Sequence, residues 1–385
     1  MTAVDILVVG AGPAGAATAS ALARGGARVM VVEAARHPRP KACAEYASPR
    51  IREELARLGL PPAAWHPVAR PLAGMRLHAG GNRVLISYAD RRGPRTAFGV
   101  DRRRFDSLLA SHATSCGAEL REGVRLEGFV DRVATLRTRD GRRERVRVDF
   151  LVGADGARST VARLVGVERP VRFPRRLGLV AHYAAPPDLG DHGEMHVGGG
   201  GYVGLAPLPD DEVNVGMALP MTGSGGSAAD RFAAALAALP AVARRLGTVE
   251  RLTPIRGAAP IGHRVSDVAG DGWLLVGDAA GFVDPFTGEG IHRALRSARA
   301  AADALLESDD VAGAYRRERR RAFAAKGVLS WLVQATLAVP PVFERAVARL
   351  AERPSAARRL GSALGDCAPA TSALSPAAML EVLGP

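Results

Sequence analysis

Residues 6–9 form a short, wholly apolar run of the kind expected for a parallel strand buried on both faces. The run ends in Gly10-Ala11-Gly12-Pro13-Ala14-Gly15, after which 14–24 reads as a small-residue helix closed by Gly25-Gly26. Residues 28–33 give the next strand, so a complete βαβ unit opens the chain. Further on, 51–58 is an amphipathic helix, 75–88 alternates as sheet around Gly80-Gly81, and 105–115 predicts helix. Three hairpin-like segments (124–130, 133–139 and 144–148) precede a second buried strand at 150–152, which runs into Gly153-Ala154-Asp155-Gly156. Strand and turn dominate 177–219, 223–226 reads as a loop, and 230–246 as a single amphipathic helix. A third buried strand at 273–276 meets Gly277-Asp278, a helix covers about 290–306, and the remainder is largely helical without internal repeats.

Composition narrows the class. The 385 residues are 47% apolar and 24% charged, as in a globular chain with room for one large two-domain enzyme or two ordinary domains. The net charge of +13 comes from arginines scattered along the whole length. The densest groups, 102–104 and 316–321, sit in helical patterns beside acidic residues and lack any nucleic-acid reader motif, so no nucleic-acid partner is expected. Cys43, Cys116 and Cys367 are far apart, which argues against a disulfide framework or a zinc site. No basic segment precedes the first apolar run, and the apolar stretch 327–343 is broken by Gln334, Pro340 and Pro341. A reducing cytoplasm is the expected location.

A bare G-x-G-x-x-G match is weak, and Gly199-Gly200-Gly201-Tyr202-Val203-Gly204 also fits it. That second copy follows no buried strand and opens no helix, so it reads as a flexible loop. The first copy has the full context. Gly10 suits the tight turn, Gly12 the approach of phosphate to backbone, and Gly15 close helix–strand packing, with Pro13 and Ala14 at the helix start. The helix amides then face a pyrophosphate. Glu33, eighteen residues after Gly15, ends the second strand beside Ala34, where a carboxylate accepts from adenosine ribose hydroxyls. This unit alone serves NAD or FAD equally.

Two later motifs decide between them. The segment from Leu151 through Asp155 and Gly156 to Ser159, and the segment from Trp273 through Gly277-Asp278 to Gly290, resemble the two flavoprotein signatures of the para-hydroxybenzoate hydroxylase superfamily. The resemblance implies FAD, with Asp155 near the pyrophosphate and Asp278 on the ribityl chain. Gly288-Glu289-Gly290-Ile291 would open a helix whose N-terminus faces the flavin pyrimidine ring. Within that superfamily the chain more closely resembles the geranylgeranyl reductase family. Lys41-Ala42-Cys43-Ala44-Glu45 resembles its K-x-C-G-(E/G) segment, whose cysteine lies beside the flavin. Val100-Asp101-Arg102-Arg103-Arg104-Phe105-Asp106 matches its V-x-R-x-x-F-D helix start and makes Arg102 a cofactor contact, while Asp284-Pro285-Phe286-Thr287-Gly288-Glu289-Gly290-Ile291 resembles N-P-L-T-G-E-G-I.

The departures bear on substrate. The family's G-Y-x-W-x-F-P signature appears as Gly201-Tyr202-Val203-Gly204-Leu205-Ala206-Pro207, with Gly204 and Ala206 in place of Trp and Phe. That change of pocket volume points to a bulkier or multi-ring ligand. Tyr46, Tyr202, Gly204, Ala206 and Pro207 are the candidate substrate residues. Cys43, Glu289 and His292 are the candidate catalytic set, Cys43 as proton donor or positioning group. His192 and His196 lie in a segment that reads as strand and glycine loop, so no metal pair is expected.

The implied fold is α/β: a Rossmann-type FAD-binding domain (1–75, 98–170 and 264–330) interleaved with a sheet-rich substrate domain (76–97 and 171–263), plus a helical C-terminal region (331–385). The implied function is an FAD-dependent oxidoreductase acting on a hydrophobic lipid or secondary metabolite, by carbon–carbon double-bond reduction. The alternative is an FAD-dependent monooxygenase (hydroxylation or epoxidation), and a third is a non-catalytic flavin sensor or lipid-binding protein. With no second nucleotide-binding unit, the reductant is a transiently bound NAD(P)H or a protein electron donor. The tail after Leu337 covers the substrate channel, dimerises, or touches a membrane surface, the first being favoured.

Overall fold

The computed structural model describes residues 2–221 and 226–384. Of the loop expected at 223–226, residues 223–225 therefore lie outside the described residues. The first sheet has a parallel core in which Thr2–Val9 lies between Val29–Glu33 and Arg143–Gly153. Trp273–Leu275 and Glu119–Glu122 extend it on either side, also parallel. The early part of Arg143–Gly153 pairs antiparallel with Val133–Arg137, so one long strand joins the parallel core to an antiparallel meander. The helices α1 (Pro13–Arg24), α2 (Arg102–Ser115) and α3 (Gly290–Glu307) cover one face. The meander and the short helix Thr160–Leu164 cover the other. Every residue of Val29–Glu33 is buried, which is why the sequence shows an unbroken apolar run instead of alternation.

The second sheet has eight strands among the described residues. From one edge they are Arg256–Ala258, Arg176–Ala184, Glu212–Pro220, Gly201–Pro207, His192–Gly198, Gly74–Ala79, Asn82–Asp90 and Gly93–Arg95. His192–Gly198 runs parallel to Gly74–Ala79, with His196 opposite His78, and this joins chain segments more than a hundred residues apart. One face carries Leu179, Val203, Leu205 and Val215 against two helices, Ala228–Ala237 and Pro240–Leu246. The single helix expected over 230–246 is thus two, because Pro240 supplies no N–H to continue the first and instead starts the second. The expected flexible loop at 199–204 is also corrected. Gly199 and Gly200 make a hairpin turn, but Gly201–Pro207 is a central strand paired on both sides.

The other face of this sheet is roofed by the C-terminal helices α4 (Val311–Leu337), α5 (Pro340–Glu352), α6 (Pro354–Leu364) and α7 (Pro376–Leu383). A 114° bend at 338–339 folds α5 back over the sheet. No single described helix is long and apolar enough to cross a membrane.

Candidate active site

The nucleotide cleft starts where α1 meets the first strand. A Cβ on Gly15 would lie 1.8 Å from the Gly10 carbonyl oxygen, and one on Gly10 (φ +100°) 2.6 Å from the Ala154 oxygen, so neither position accepts a side chain. Glu33 is buried and accepts from the amides of Ala11 and Ala35, both at 3.0 Å, which fixes its carboxylate beside the glycine loop. Arg39 lies 3.4 Å from Glu33 and 3.6 Å from Asp106, and its guanidinium sits over Gly12. The cleft continues past Ala34, Lys41 and Asp155, encloses about 1010 Å³, and is lined by the cations of Arg36, Arg39 and Lys41. Arg39 escaped sequence reasoning because nothing local marks it, and its partners lie 6 and 67 residues away.

Asp155 accepts from Ser159 Oγ (2.6 Å) and the Thr160 amide (2.6 Å), so it caps the short helix behind Gly156. Burial pushes its carboxyl up, partly offset by those hydrogen bonds. Asp278 follows Gly277, whose amide donates to Ser297 Oγ of α3. Among the described residues the Asp278 carboxylate has no hydrogen-bond partner, which fits a group awaiting ligand hydroxyls. A glycine loop at a helix N-terminus, a buried carboxylate beside it, basic side chains and an unpaired carboxylate at the far end fit the groups that FAD requires.

The chain at 41–46 leads from this cleft to a second cavity, Lys41 lining the first and Ala44 and Tyr46 the second. The same segment carries a buried carboxylate, Glu45, that the sequence reading did not single out and that lines neither cavity. Glu45, at φ +56°, accepts from the Arg102 amide (3.0 Å) and Asn214 Nδ2 (2.6 Å), and lies 2.6 Å from His182 Nε2. Burial disfavours the charged imidazole, but the hydrogen bond to Glu45 and its charge outweigh burial and raise the His182 pKa. Asn214 also donates to the Cys43 carbonyl at 2.8 Å. Arg102 donates to Asp106 at 2.8 and 3.0 Å and to Cys43 Sγ at 3.2 Å, all in buried surroundings. Burial works against the Asp106 charge, yet Arg102 holds its carboxyl below the usual range.

The turn Pro285–Thr287 and Gly288 (φ +66°) precede α3. Asp284 is pinned by Tyr202 Oη (2.5 Å), by Arg176 (2.7 Å) and by the Phe286 amide (3.0 Å). Arg176 also bonds Gln334 of α4. Glu289 pairs with Arg293 (3.1 Å) and Lys326 (3.4 Å) and accepts from Ser330 Oγ (3.3 Å). His292 Nδ1 lies 2.9 Å from Asp366, itself 2.8 Å from Lys326. Burial pushes the Asp366 carboxyl up, but Lys326 and His292 together hold it low. Lys326, Ser330 and Gln334, at i, i+4 and i+8, therefore key α4 onto the turn through one buried polar stripe. Gly290 and Ile291 begin α3, with Ile291 in the core.

The second cavity lies between the substrate sheet and α4 to α7, with the turn 285–288 at one end. Phe286 packs edge-on against both Tyr202 and Phe343. Of the five candidate substrate residues, Tyr46, Gly204 and Ala206 line it, whereas Tyr202 is tied to Asp284 and Pro207 sits against Gly99. Cys43, Glu289 and His292 do not line it. The space freed by Gly204 is taken by Met195, whose Cε would lie 3.5 Å from an added Cβ, so Gly204 does not enlarge the cavity. On the opposite face of the sheet His78 and His196 stack at 4.4 Å and 10°, next to Glu194. Near-parallel rings aim their nitrogen lone pairs side by side instead of at one point, and Arg245 donates to Glu194 at 2.8 Å. That group is an ion-paired stack.

Comparison with known proteins agrees with this geometry. A sequence-family profile described as "FAD binding domain" matches residues 3–325. The chain is 35% identical over 322 residues to the menaquinone reductase of Mycolicibacterium smegmatis, covering 79% of this chain and 76% of that protein. It is 30% identical over 307 residues to digeranylgeranylglycerophospholipid reductase 2 of Methanosphaera stadtmanae, covering 76% and 75%. A geranylgeranyl bacteriochlorophyll reductase-like protein of Thermoplasma acidophilum superposes with a TM-score of 0.83 over 100% of both chains at 21% identity. A flavin-dependent brominase superposes at 0.78 over 95% of each at 20% identity, and at such identities the likeness is one of fold alone. The chain belongs to the FAD-binding-domain family, as an FAD-dependent oxidoreductase of the geranylgeranyl reductase type within the para-hydroxybenzoate hydroxylase superfamily.

Proposed function

We propose that this protein reduces a carbon–carbon double bond in an uncharged, isoprenoid-like lipid. The observation that carries the reading is the character of the cavity beside the flavin turn: its described lining contains no lysine, arginine or histidine. An anionic headgroup brought inside would go unpaired, at a cost of roughly several kcal/mol, and the carboxylate of Glu194 is already taken by Arg245. The enclosed part of the substrate is therefore neutral and apolar. Menaquinone and digeranylgeranylglycerophospholipid, the molecules in the relatives' names, both carry isoprenoid chains. The cavity holds about 130 Å³. Ordinary ligand sites start near roughly 300 Å³, so the cavity at this size takes one short segment of such a chain.

Each assigned residue has a task. The glycine loop and α1 amides take the pyrophosphate, with Arg39 and Lys41 adding positive charge, while Glu33 accepts from the ribose and Asp278 from the ribityl chain. The N-terminus of α3, at Gly288 to Gly290, stabilises negative charge at the pyrimidine edge. Arg102 and Glu45 fix the segment that carries Cys43 and Tyr46 past the ring. Reduced FAD supplies the hydride equivalent, and the apolar walls exclude water from the reacting carbons. The electron donor that recharges it is NAD(P)H or a reduced protein that docks transiently.

The test is to reduce the holoenzyme chemically without oxygen and add a short-chain prenylated naphthoquinone, following flavin absorbance and tail saturation. Flavin reoxidation with stoichiometric saturation of one tail double bond supports the reading. Reoxidation only on admitting oxygen, with an oxygen atom in the product, supports the monooxygenase instead.

A further inference from the structure

Adding hydrogen across a double bond takes a proton as well as a hydride, and none of the three candidate catalytic residues reaches the cavity. Cys43 Sγ is held by Arg102 at 3.2 Å, Glu289 is spent on Arg293 and Lys326, and His292 on Asp366. Among the described lining residues the protic side chains are Tyr46, Tyr88, Glu194, Thr287 and Thr336. Glu194 lies 3.1 Å from His196 and accepts from Arg245 on the far side of the sheet. Burial pushes its carboxyl up, but those two hydrogen bonds bring it down to about 2, so it carries no proton near neutrality. Aliphatic hydroxyls such as Thr287 and Thr336 are far weaker acids than phenols.

That leaves the two phenols, which are hydrogen-bonded to each other at 2.8 Å and both buried. The Tyr46 ring is clamped. A Cβ on Gly288 would lie 2.8 Å from its Cδ1, and one on Gly193 2.8 Å from its Cε2. Tyr46 therefore rests on the turn that begins the pyrimidine-facing helix, with its hydroxyl fixed at the cavity wall. We infer that Tyr46 is the general acid that protonates the substrate carbon, and that Tyr88 is its proton relay. The inference rests on the double-bond reduction proposed above.

The step balances. The less substituted alkene carbon takes the Tyr46 proton as the π bond breaks, and the electron-poor tertiary carbon gains its C–H bond from the hydride that reduced FAD would supply. Tyr88 reprotonates the phenolate across the 2.8 Å contact. Tyr88 recovers its proton from water when product leaves. The flavin ends oxidised and is recharged by an external two-electron donor, a reduced nicotinamide or reduced protein. Burial, reinforced by Tyr88, raises the Tyr46 phenol well above its ordinary range, so the donor stays loaded across the working pH.

Tyr46→Phe and Tyr88→Phe holoenzymes test this with the same naphthoquinone, read both by anaerobic single turnover and by binding to the oxidised enzyme. A general acid contributes roughly 10²- to 10⁴-fold, so Tyr46→Phe should slow tail saturation about 100-fold or more, and Tyr88→Phe by less. Binding to the oxidised flavin form, read from the shift of its visible bands, should be unchanged in both. A Tyr46→Phe enzyme that saturates the tail at the wild-type rate overturns the assignment alone. So does a rate loss matched by an equal loss of binding. A wild-type enzyme that binds the probe but never saturates it overturns the reduction reading, and this assignment with it.

Discussion

Replacing Gly288 by Ala tests how tightly the turn, Tyr46 and the cavity wall depend on one another. Gly288 has φ +66°, and an added Cβ would stand 2.8 Å from Tyr46 Cδ1 and 3.4 Å from Cε1. An alanine held in the left-handed region costs about 1–2 kcal/mol. The ring cannot step aside, because Gly193 blocks its other edge and Tyr88 holds its hydroxyl. Forcing a methyl into such packing costs about 1–3 kcal/mol. Together the two give a loss of about 2–5 kcal/mol, a large share of the roughly 5–15 kcal/mol that holds a folded domain. Gly193→Ala meets the same ring with no positive φ, so only the packing part, about 1–3 kcal/mol, applies there. Combining Gly288→Ala with Tyr46→Leu should recover the packing part and leave the backbone part. Urea unfolding of the holoproteins, followed by tryptophan fluorescence and flavin release, measures all three against wild type. A Gly288→Ala protein within about 0.5 kcal/mol of wild type, the scatter of inert surface changes, would refute the clamp.

Other outcomes follow from the same contacts. Arg102→Met leaves Asp106 buried beside only Arg39 at 3.6 Å, and breaking a buried pair costs about 3–5 kcal/mol, so its urea midpoint should fall sharply and Arg102→Lys should not restore it. Glu33→Gln removes a charge-assisted bond worth about 1.5–3 kcal/mol, so FAD titration of the apoprotein should show affinity reduced roughly 10- to 100-fold. His182 has a folded pKa raised above its ordinary 6.5 by Glu45. Its stabilisation is thus complete below 6.5 and is lost as pH rises through the folded value. The stability gap between wild type and His182→Gln should shrink from mildly acidic to alkaline pH, and a gap independent of pH would contradict the pairing.

What the sequence made legible, and what it hid, divides along chain distance. The buried strand at 6–9, the glycine loop and Glu33 lie within one local unit, so spacing alone places them. The strand at 201–207 was hidden because its glycines mimic a loop. They are needed for close sheet packing, since a Cβ on Gly201 would lie 2.4 Å from the Ala218 oxygen. Pro240 divided a helix whose apolar periodicity runs on without a break. At the site, the hidden residues pair over long separations. Glu45 meets His182 137 residues away, and Tyr46 meets Tyr88 42 residues away. The Lys41 to Glu45 motif did contain Glu45, which was the one signal available. Gly204 shows the limit from the other side: deleting a large side chain reads as added room, yet only the packed strand reveals Met195 filling it.

The measurement closest to the central claim is the mass and proton spectrum of the product formed when the reduced holoenzyme meets a short-chain prenylated naphthoquinone under strict anaerobiosis. The account predicts a tail that has gained two hydrogens and no oxygen at one double bond. A tail returned unchanged, or a product that forms only with oxygen and carries an added oxygen atom, would contradict it.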